Sequence, residues 1–429
     1  MLMNGRSWLD DLVYQHSELE SPTSFWWWGA LVAISAVVKD NVWIDRHIHN
    51  LYPNIYVMLH ADSGLKKGPP ISMAKRLVGM VGNTRVITGR SSIQGILQDL
   101  GTGRTLKGGT VINDSCAFIC SSELSSSIVE DKVATTILTD LYDRQYNVGE
   151  WRSLLKMGQF ELKNPTLTMF TATNEAHSND FFGKKDIQGG YFARTFIVYE
   201  NKPNRSNSLL VPLNNPPSYE TSANYLKQLA NLKGAFSPLA SKEATDDCGI
   251  EFEHPESGER AYFSGAGIIY ETWYHQFKQA ALASHIKDDT GTLNRFGDSV
   301  LKVAMLLSLA RAPDLKIDEL SMSEAITHCE KLIGNVRQTT LGAKGLSQSS
   351  TLKSKVIHEL VQRDNHQVTR TILMNKMMMH YSDTSEFDEL MTSFQQAGLV
   401  TIDVVGNQTI YEMPPHAAAE WRAFFAGKV

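Results

Sequence analysis

The chain has 429 residues, 42% of them hydrophobic and 20% charged. That is enough apolar material for about two to four domains, and it excludes a mostly disordered protein. Forty-one Lys and Arg stand against 46 Asp and Glu for a net charge of −5, which excludes a globally basic nucleic-acid coat protein but leaves room for a local basic groove.

The first 50 residues predict an N-terminal helical segment around the apolar run FWWWGALVAISAVV, residues 25–38. This run falls short of the roughly 20 residues a membrane span needs. It also lies behind Asp10, Asp11, Glu18 and Glu20, the wrong flank for a signal peptide. A buried helix is expected, closing on a strand-like NVWIDRHIH. From 51 to 205, short apolar runs alternate with amphipathic stretches, the pattern of an α/β sheet domain. Strands are predicted at 54–60, 85–88, 117–121, 166–172 and 194–199, and helices at 70–80, 92–100 and 129–142.

Residues 201–218 (NKPNRSNSLLVPLNNPPS) are rich in Asn, Pro and Ser and predict a boundary. A helical lid is expected over 206–345, clearest at 268–284, 293–310 and 322–341. SQSST at 347–351 predicts a second linker. Residues 346–429 then run helix, helix, helix, hairpin, with a Gly406–Asn407 turn between alternating strands, which predicts a winged helix.

The most informative stretch is NIYVMLHADSGLKKGPPISMAKRLV: an apolar strand, a loop of small residues, two prolines, then a helix. Such a loop offers free backbone N–H groups and the positive end of a helix dipole, both of which favour a phosphate. Pro69 or Pro70 is expected at the first helical position, where the missing donor is unneeded. Against the pattern GxxxxGK[ST], the segment Ala61, Asp62, Ser63, Gly64, Leu65, Lys66, Lys67, Gly68 keeps the lysine as Lys67 and an internal glycine as Gly64. Ala61 replaces the first glycine, Lys66 the second, and Gly68 the Ser/Thr that holds Mg²⁺; Asp62 or Ser63 is the expected substitute metal ligand. The same residues also fit a plain strand-to-helix loop with two solvated lysines.

Further candidates follow in chain order. CAFICSSEL ends a strand at Glu123, placed to polarise an attacking water or hold metal, with Ser122 where an Asp is expected. TLTMFTATN ends at Asn174, placed to hold that water or a terminal phosphate. Arg194 opens the last strand, where ring ATPases position an arginine for a neighbour's phosphate. Arg295 begins an apolar helix of the lid and is a candidate phosphate sensor. Each has a plain reading as well: helix start, strand-end cap or ion-pair partner.

With these residues in place, the sequence resembles the P-loop ATPases of phage and mobile-element replication, a family of primase-helicase type and AAA+-like or superfamily 3-like. The resemblance covers roughly residues 20–345 and rests on SPTSFWWWGALVAIS, YPNIYVMLHADSGLKKGPP, SSELSSSIV with LTDLYD, NPTLTMFTATN, GGYFARTFIVYE and RFGDSVLKVAMLLSLA. It implies a P-loop AAA+/RecA-like sheet domain, ATP and Mg²⁺ as cofactors, a hexameric homo-oligomer, single-stranded or forked DNA and other replication proteins as partners. An ATP-dependent DNA helicase or translocase is the expectation. A nucleotide-binding ring that loads or recruits replication proteins and hardly hydrolyses ATP is the alternative, and a small-molecule kinase a more distant one.

DNA is expected at DRQYNVGEWRSLLKMGQFELK, where Arg144, Arg152, Lys156 and Lys163 interleave with Tyr146, Trp151 and Phe160. The C-terminal module is a poorer DNA reader. Its seven cations face nine acids, and its recognition helix, DTSEFDELMTSFQQ, is acidic. Four cysteines (Cys116, Cys120, Cys248, Cys329) are too few for a disulfide scaffold and predict a reducing, cytoplasmic setting. Cys116 and Cys120 are spaced along an apolar strand with no second ligand pair, so buried core thiols are expected rather than zinc ligands.

Overall fold

The tryptophan-rich run forms a helix without a polar side, and that fixes its place. In the computed structural model α1 spans Trp8–Gln15 and α2 spans Thr23–Val38, with every residue of α2 from Phe25 to Val38 buried. A helix apolar all round must be covered all round. α2 lies against the central sheet on one side and is enclosed by α1 and three later helices on the others.

The structure describes all residues except 1–5, 90, 106–108, 110, 123–132, 144–149, 156–157, 174–189, 208–212, 214–215, 254–257, 259, 284–291, 345–347, 364, 378–383, 407 and 426–429. The chain divides into two compact units, Met1–His177 with Lys185–Leu332, and Ile333–Val429 with Ser178–Lys184.

The first unit is built on five parallel strands: β1 (Tyr56–His60), β2 (Arg85–Thr88), β3 (Cys116–Ser121), β4 (Thr166–Thr173) and β5 (Thr195–Tyr199). Each lies within two residues of its predicted place. The strands run in the order β5-β1-β4-β3-β2. β1 and β3 are near-continuous apolar runs, and β4, half of it threonine, is buried along its whole length, as strands covered on both faces are. The chain leaves β1 towards β2 at the far edge, through α3 (Gly68–Val81). It then steps back through α4 (Ile93–Leu100) and α5 (Ala134–Tyr142) towards β4, and crosses over β1 to reach β5. With right-handed crossovers, the connection after β1 lies on one face and those after β2, β3 and β4 on the other. The carboxyl ends of β1 and β4 therefore flank the topological switch point, where open α/β sheets bind their ligands.

α6 (Tyr219–Ala230) packs on α2 and α3. Small strands follow that the sequence reading missed, because they are short and half-polar. Gly234–Ala235 adds in parallel to Val42–Asp45, and Ala240–Ser241, Arg260–Phe263 and Ile250–Glu253 form an antiparallel sheet. The expected helices then appear as α7 (Gly265–Ala283), α8 (Thr292–Arg311) and α9 (Glu319–Lys344). Among the described residues no helix is long and apolar enough to cross a membrane.

In the second unit, α10 (Gln348–Gln362), α11 (Arg370–Met377) and α12 (Thr384–Gln396) precede a hairpin of Thr401–Val405 with Gln408–Glu412. Gln367–Thr369 pairs with the hairpin's second strand, and α13 (Pro415–Phe425) follows. Val356, Leu360, Leu373, Phe387, Met391 and Tyr411 meet in its core. The linker expected at 347–351 is corrected in part: residues 348–351 are the first turn of α10, while Ser347 lies outside the described residues.

Arg85 anchors the free edge of the central sheet. Fully buried at the start of β2, it donates to the carbonyls of Asp99, of Thr102 (2.6 Å) and of Asp114 (3.1 Å). Its cation thus serves the C-terminal end of α4, where carbonyls lack helical partners. Arg85→Ala is expected to cost about 3–5 kcal/mol in urea unfolding, because it strands buried carbonyls. Arg152→Ala, which removes an exposed ion pair with Glu161, is expected to cost less than about 1 kcal/mol.

Candidate functional site

The loop at the switch point is Ala61–Lys67, the segment singled out in the sequence. Its shape is set by two left-handed residues, Gly64 (φ 95°) and Lys66 (φ 48°), and by a turn in which the Leu65 N–H donates to the Asp62 carbonyl at 3.4 Å. Leu65 is buried and pins the loop, while Asp62, Ser63 and Gly64 are exposed. Lys67 folds into the loop. Its Nζ donates to the carbonyls of Ala61 (2.6 Å) and Asp62 (2.9 Å). The ammonium therefore sits at the centre of the loop, with two of its three donors on the loop's own backbone.

The helix start differs from expectation. Gly68 takes the first helical position, and Pro69 and Pro70 take the next two. Of the four N–H groups that a helix leaves free at its start, those of the N-cap and the first three helical residues, α3 therefore offers only those of Lys67 and Gly68. Positive charge at this loop comes mainly from Lys66 and Lys67, less from backbone donors.

Two flanking structures were not legible beforehand. Ser21, in the turn between α1 and α2, donates through Oγ to the Lys66 carbonyl (2.7 Å), and Glu20 lies 3.9 Å from Lys66 Nζ. Asn204 and Asn207 bind that turn from the other side, through the carbonyls of Ser17 (2.9 Å) and Glu18 (2.8 Å). Residues 201–207, expected as part of a linker, are thus a fixed wall beside the loop. The density of Asn in that stretch was the available signal, since short amides are suited to capping loop backbone.

The second missed group is His60, the last residue of β1, between Thr173 of β4 and Tyr199 of β5. It is 4% exposed, and neither ring nitrogen has a hydrogen-bond partner among the described residues. Burial, reinforced by the Lys67 cation and opposed by Asp62, lowers it to about 4. At neutral pH it is an uncharged imidazole under the loop.

The other predicted residues divide by edge. β3 ends at Ser121 beside Thr171, and β4 ends at Thr173 beside His60. The strands leading to Glu123 and Asn174 thus finish at the edge that carries the loop; Glu123 and Asn174 themselves lie outside the described residues. Among the described residues no group of three or more His, Cys, Asp or Glu side chains converges to hold a metal. The loop fits a phosphate; of the expected metal ligands, Asp62 and Ser63 are described and Glu123 is not.

Arg194 and Arg295 lie at the opposite edge. Arg194 is buried at the start of β5, ion-paired with Asp143 and donating to the Gly190 carbonyl at 2.8 Å. Arg295 reaches the same Asp143 at 3.4 Å. Nearby, Lys302 is buried, donates to Asn54 Oδ1 (2.8 Å) and to the Asn54 carbonyl (3.0 Å), and sits 3.8 Å over the Tyr142 ring. Asn54 precedes β1, so this cluster lies about 20 Å, the length of a strand, from the loop. Arg295 therefore lies about a strand's length from the Lys67 loop of its own chain, paired with Asp143. Arg194 is turned inward on Asp143.

In the expected DNA segment, Glu150–Leu155 and Gly158–Lys163 pair as a hairpin. Arg152 is paired across the strands with Glu161 at 3.4 Å, and exposed Lys163 stands opposite Glu150. Trp151 is buried, which removes it as a base-stacking surface. Arg144 and Lys156 lie outside the described residues. All four cysteines are buried thiols outside any disulfide.

Fold and site together define an open, all-parallel α/β sheet with a lysine-centred loop at its switch point. No family model matches the chain, and no curated protein matches it.

Burial lowers Lys302 to about 7, aided by Arg194 and opposed by Asp143 and Asp298. Between that value and the ordinary lysine value of 10.5, the unfolded chain holds a proton that the folded chain has released, so this group makes stability rise with pH. Urea midpoints of the wild type relative to Lys302→Met are expected to climb from pH 7 to pH 9.5. A constant difference across that range contradicts the assignment.

Proposed function

We propose that the chain is an ATP-binding P-loop protein, and that it works as a ring-forming DNA helicase or translocase in phage or mobile-element replication. One observation carries the ATP reading: the loop that holds Lys67 lies at the switch point of a parallel sheet and opens a helix. In this reading Lys67 leaves its two carbonyl partners for the outer phosphates, which it meets as a point charge. Backbone N–H groups of the loop and of Gly68 take the inner oxygens, and the wall of 17–22 and 201–207 borders the ligand. Mg²⁺, when bound, would neutralise charge between the phosphates, with Asp62 and Glu123 as its protein ligands.

The DNA part of the proposal rests on the family resemblance and on the hairpin at 150–163, whose Lys163 is an exposed cation. The second unit has the element order of a winged helix, three helices and a hairpin, and three of its cations are already committed. Arg363 and Lys376 both pair with Glu359 (2.9 and 2.5 Å), and Arg370 pairs with Asp388 on α12 (2.7 Å). Cations held in this way leave little free charge for phosphate, which supports a protein or ring-stacking contact over sequence reading.

A second reading is favoured by three features: Gly68 in place of a hydroxyl, the two donors lost at Pro69 and Pro70, and Arg194 held by Asp143. It is a nucleotide-gated ring that recruits or loads replication proteins and turns over little ATP.

The test compares wild type with Lys67→Ala for binding of a fluorescent ATP analogue, for mass by light scattering, and for hydrolysis with and without single-stranded DNA. Wild type is expected to bind, and the variant to bind at least about tenfold more weakly, a loss of about 1.4 kcal/mol. DNA-stimulated turnover selects the motor; ATP-dependent assembly without turnover selects the recruiting ring. Absence of binding by folded wild type ends both.

A further inference from the structure

Residues 201–207 leave the carboxyl end of β5 and form neither helix nor strand, yet they are tied down at two points. Asn204 donates its backbone N–H to the Glu20 carbonyl (3.0 Å) and its amide to the Ser17 carbonyl (2.9 Å), and accepts from the Thr23 hydroxyl (3.4 Å). Asn207 donates its backbone N–H to Glu20 Oε1 (3.3 Å) and its amide to the Glu18 carbonyl (2.8 Å). Pro203 fixes φ just before the first anchor. The entropy of ordering this wall is therefore met in folding, and a ligand that uses it does not have to order it again.

What the wall presents is positive charge. Residues 201–206 are exposed, and Lys202 and Arg205 have neither an ion pair nor a hydrogen-bond acceptor among the described residues. The acids nearby are placed differently. Glu200 accepts from Ser24 Oγ at 2.7 Å, and Glu18 is half-buried. Glu20 is divided between the wall and the loop: Oε1 takes the Asn207 N–H, and Oε2 lies 3.9 Å from Lys66 Nζ. The acids are thus turned onto protein donors while the two cations face water. The wall and the Lys67 loop stand on either side of a single carboxylate, which places Lys202 and Arg205 beside Lys66 and Lys67.

The loop on its own is short of donors for a polyphosphate. Two N–H groups are missing at Pro69 and Pro70, Arg194 is paired with Asp143, and Arg295 lies at the other edge of the sheet. We propose that Lys202 and Arg205 form the second cationic side of the site: a polyphosphate chain lies between the Lys67 loop and the 201–207 wall, with the Arg205 guanidinium forked on one phosphate and Lys202 as a further point charge. That this chain is the tail of a nucleoside triphosphate rests on the nucleotide reading above; that the wall binds polyphosphate does not. Two cations that merely solvate a surface would contribute nothing to the affinity for such a ligand, and this is the measurable difference.

The experiment uses the full chain and two probes, ATP and inorganic tripolyphosphate, with affinities measured by titration calorimetry. Wild type is compared with Arg205→Gln, Arg205→Lys, the double variant Lys202→Gln/Arg205→Gln, and Lys242→Gln, an exposed cation beside the small antiparallel sheet that serves as control. These side chains are exposed, so Tm is expected to move by less than about 2 °C in every variant. Arg205→Gln is expected to weaken both probes about fivefold or more, and the double variant about twentyfold. Arg205→Lys, which keeps the charge and loses the fork, should fall between wild type and Arg205→Gln, and Lys242→Gln should bind as wild type does. A double variant that binds both probes as tightly as wild type overturns the proposal and leaves the nucleotide reading standing. An equal loss in Lys242→Gln overturns it too, as an effect of net charge alone. Tripolyphosphate held through Arg205 with no binding of ATP supports the wall and ends the nucleotide reading. Failure of folded wild type to bind either probe overturns both.

Discussion

α2 and α3 touch at Gly29, and the position of the candidate site follows from how closely they touch. A Cβ at that residue would lie 3.1 Å from Met73 Cε, 3.2 Å from Phe170 and 3.4 Å from the Pro70 carbonyl. The absent side chain lets the first turn of α3 settle between α2 and β4. The turn preceding α2 then lies against the loop, where Ser21 holds the Lys66 carbonyl. An apolar helix buried along 14 residues contributes to the core by removing surface from water. Here it also acts as the backstop that fixes where the loop ends and the helix begins.

The sheet strands were readable because β1, β3 and β5 are short apolar runs and β4 is rich in β-branched and apolar residues, signals independent of distant contacts. The loop was readable for the same reason: Gly64, Lys67 and the proline pair are local. What escaped was decided by partners far away in the chain. His60 looks like an ordinary strand-end histidine until Thr173 and Tyr199 are placed beside it. Asn204 and Asn207 look like linker residues until they meet Ser17 and Glu18. Arg295 looked like a phosphate sensor because it opens an apolar helix, yet the edge it reaches depends on how α8 packs, which no local pattern encodes. Trp151 stands among cations in the sequence, yet the hairpin register places it opposite Leu162, and it is buried.

The sheet thus separates two kinds of electrostatics by about the length of a strand. At the carboxyl edge, lysines on an exposed loop are screened by water and able to exchange partners. At the amino edge, Asp143, Arg194 and Lys302 are withdrawn from water, and each interaction there is stronger and each missing partner more costly. Such an arrangement suits a scaffold whose rigid end is fixed by buried charge while the other remains adaptable.

The proline pair at the start of α3 has a mechanical meaning. Ring closure fixes φ at Pro69 and Pro70 near the helical value, so this turn has little freedom to unwind or tilt when an anion arrives. Accommodation must then be absorbed upstream, in the six peptide units between Ala61 and Lys67, with the left-handed Gly64 and Lys66 serving as the joints. The segment is in effect a short flexible strap riveted to a stiff post, and ligands of different size would be met by the curvature of the strap while the post stays still.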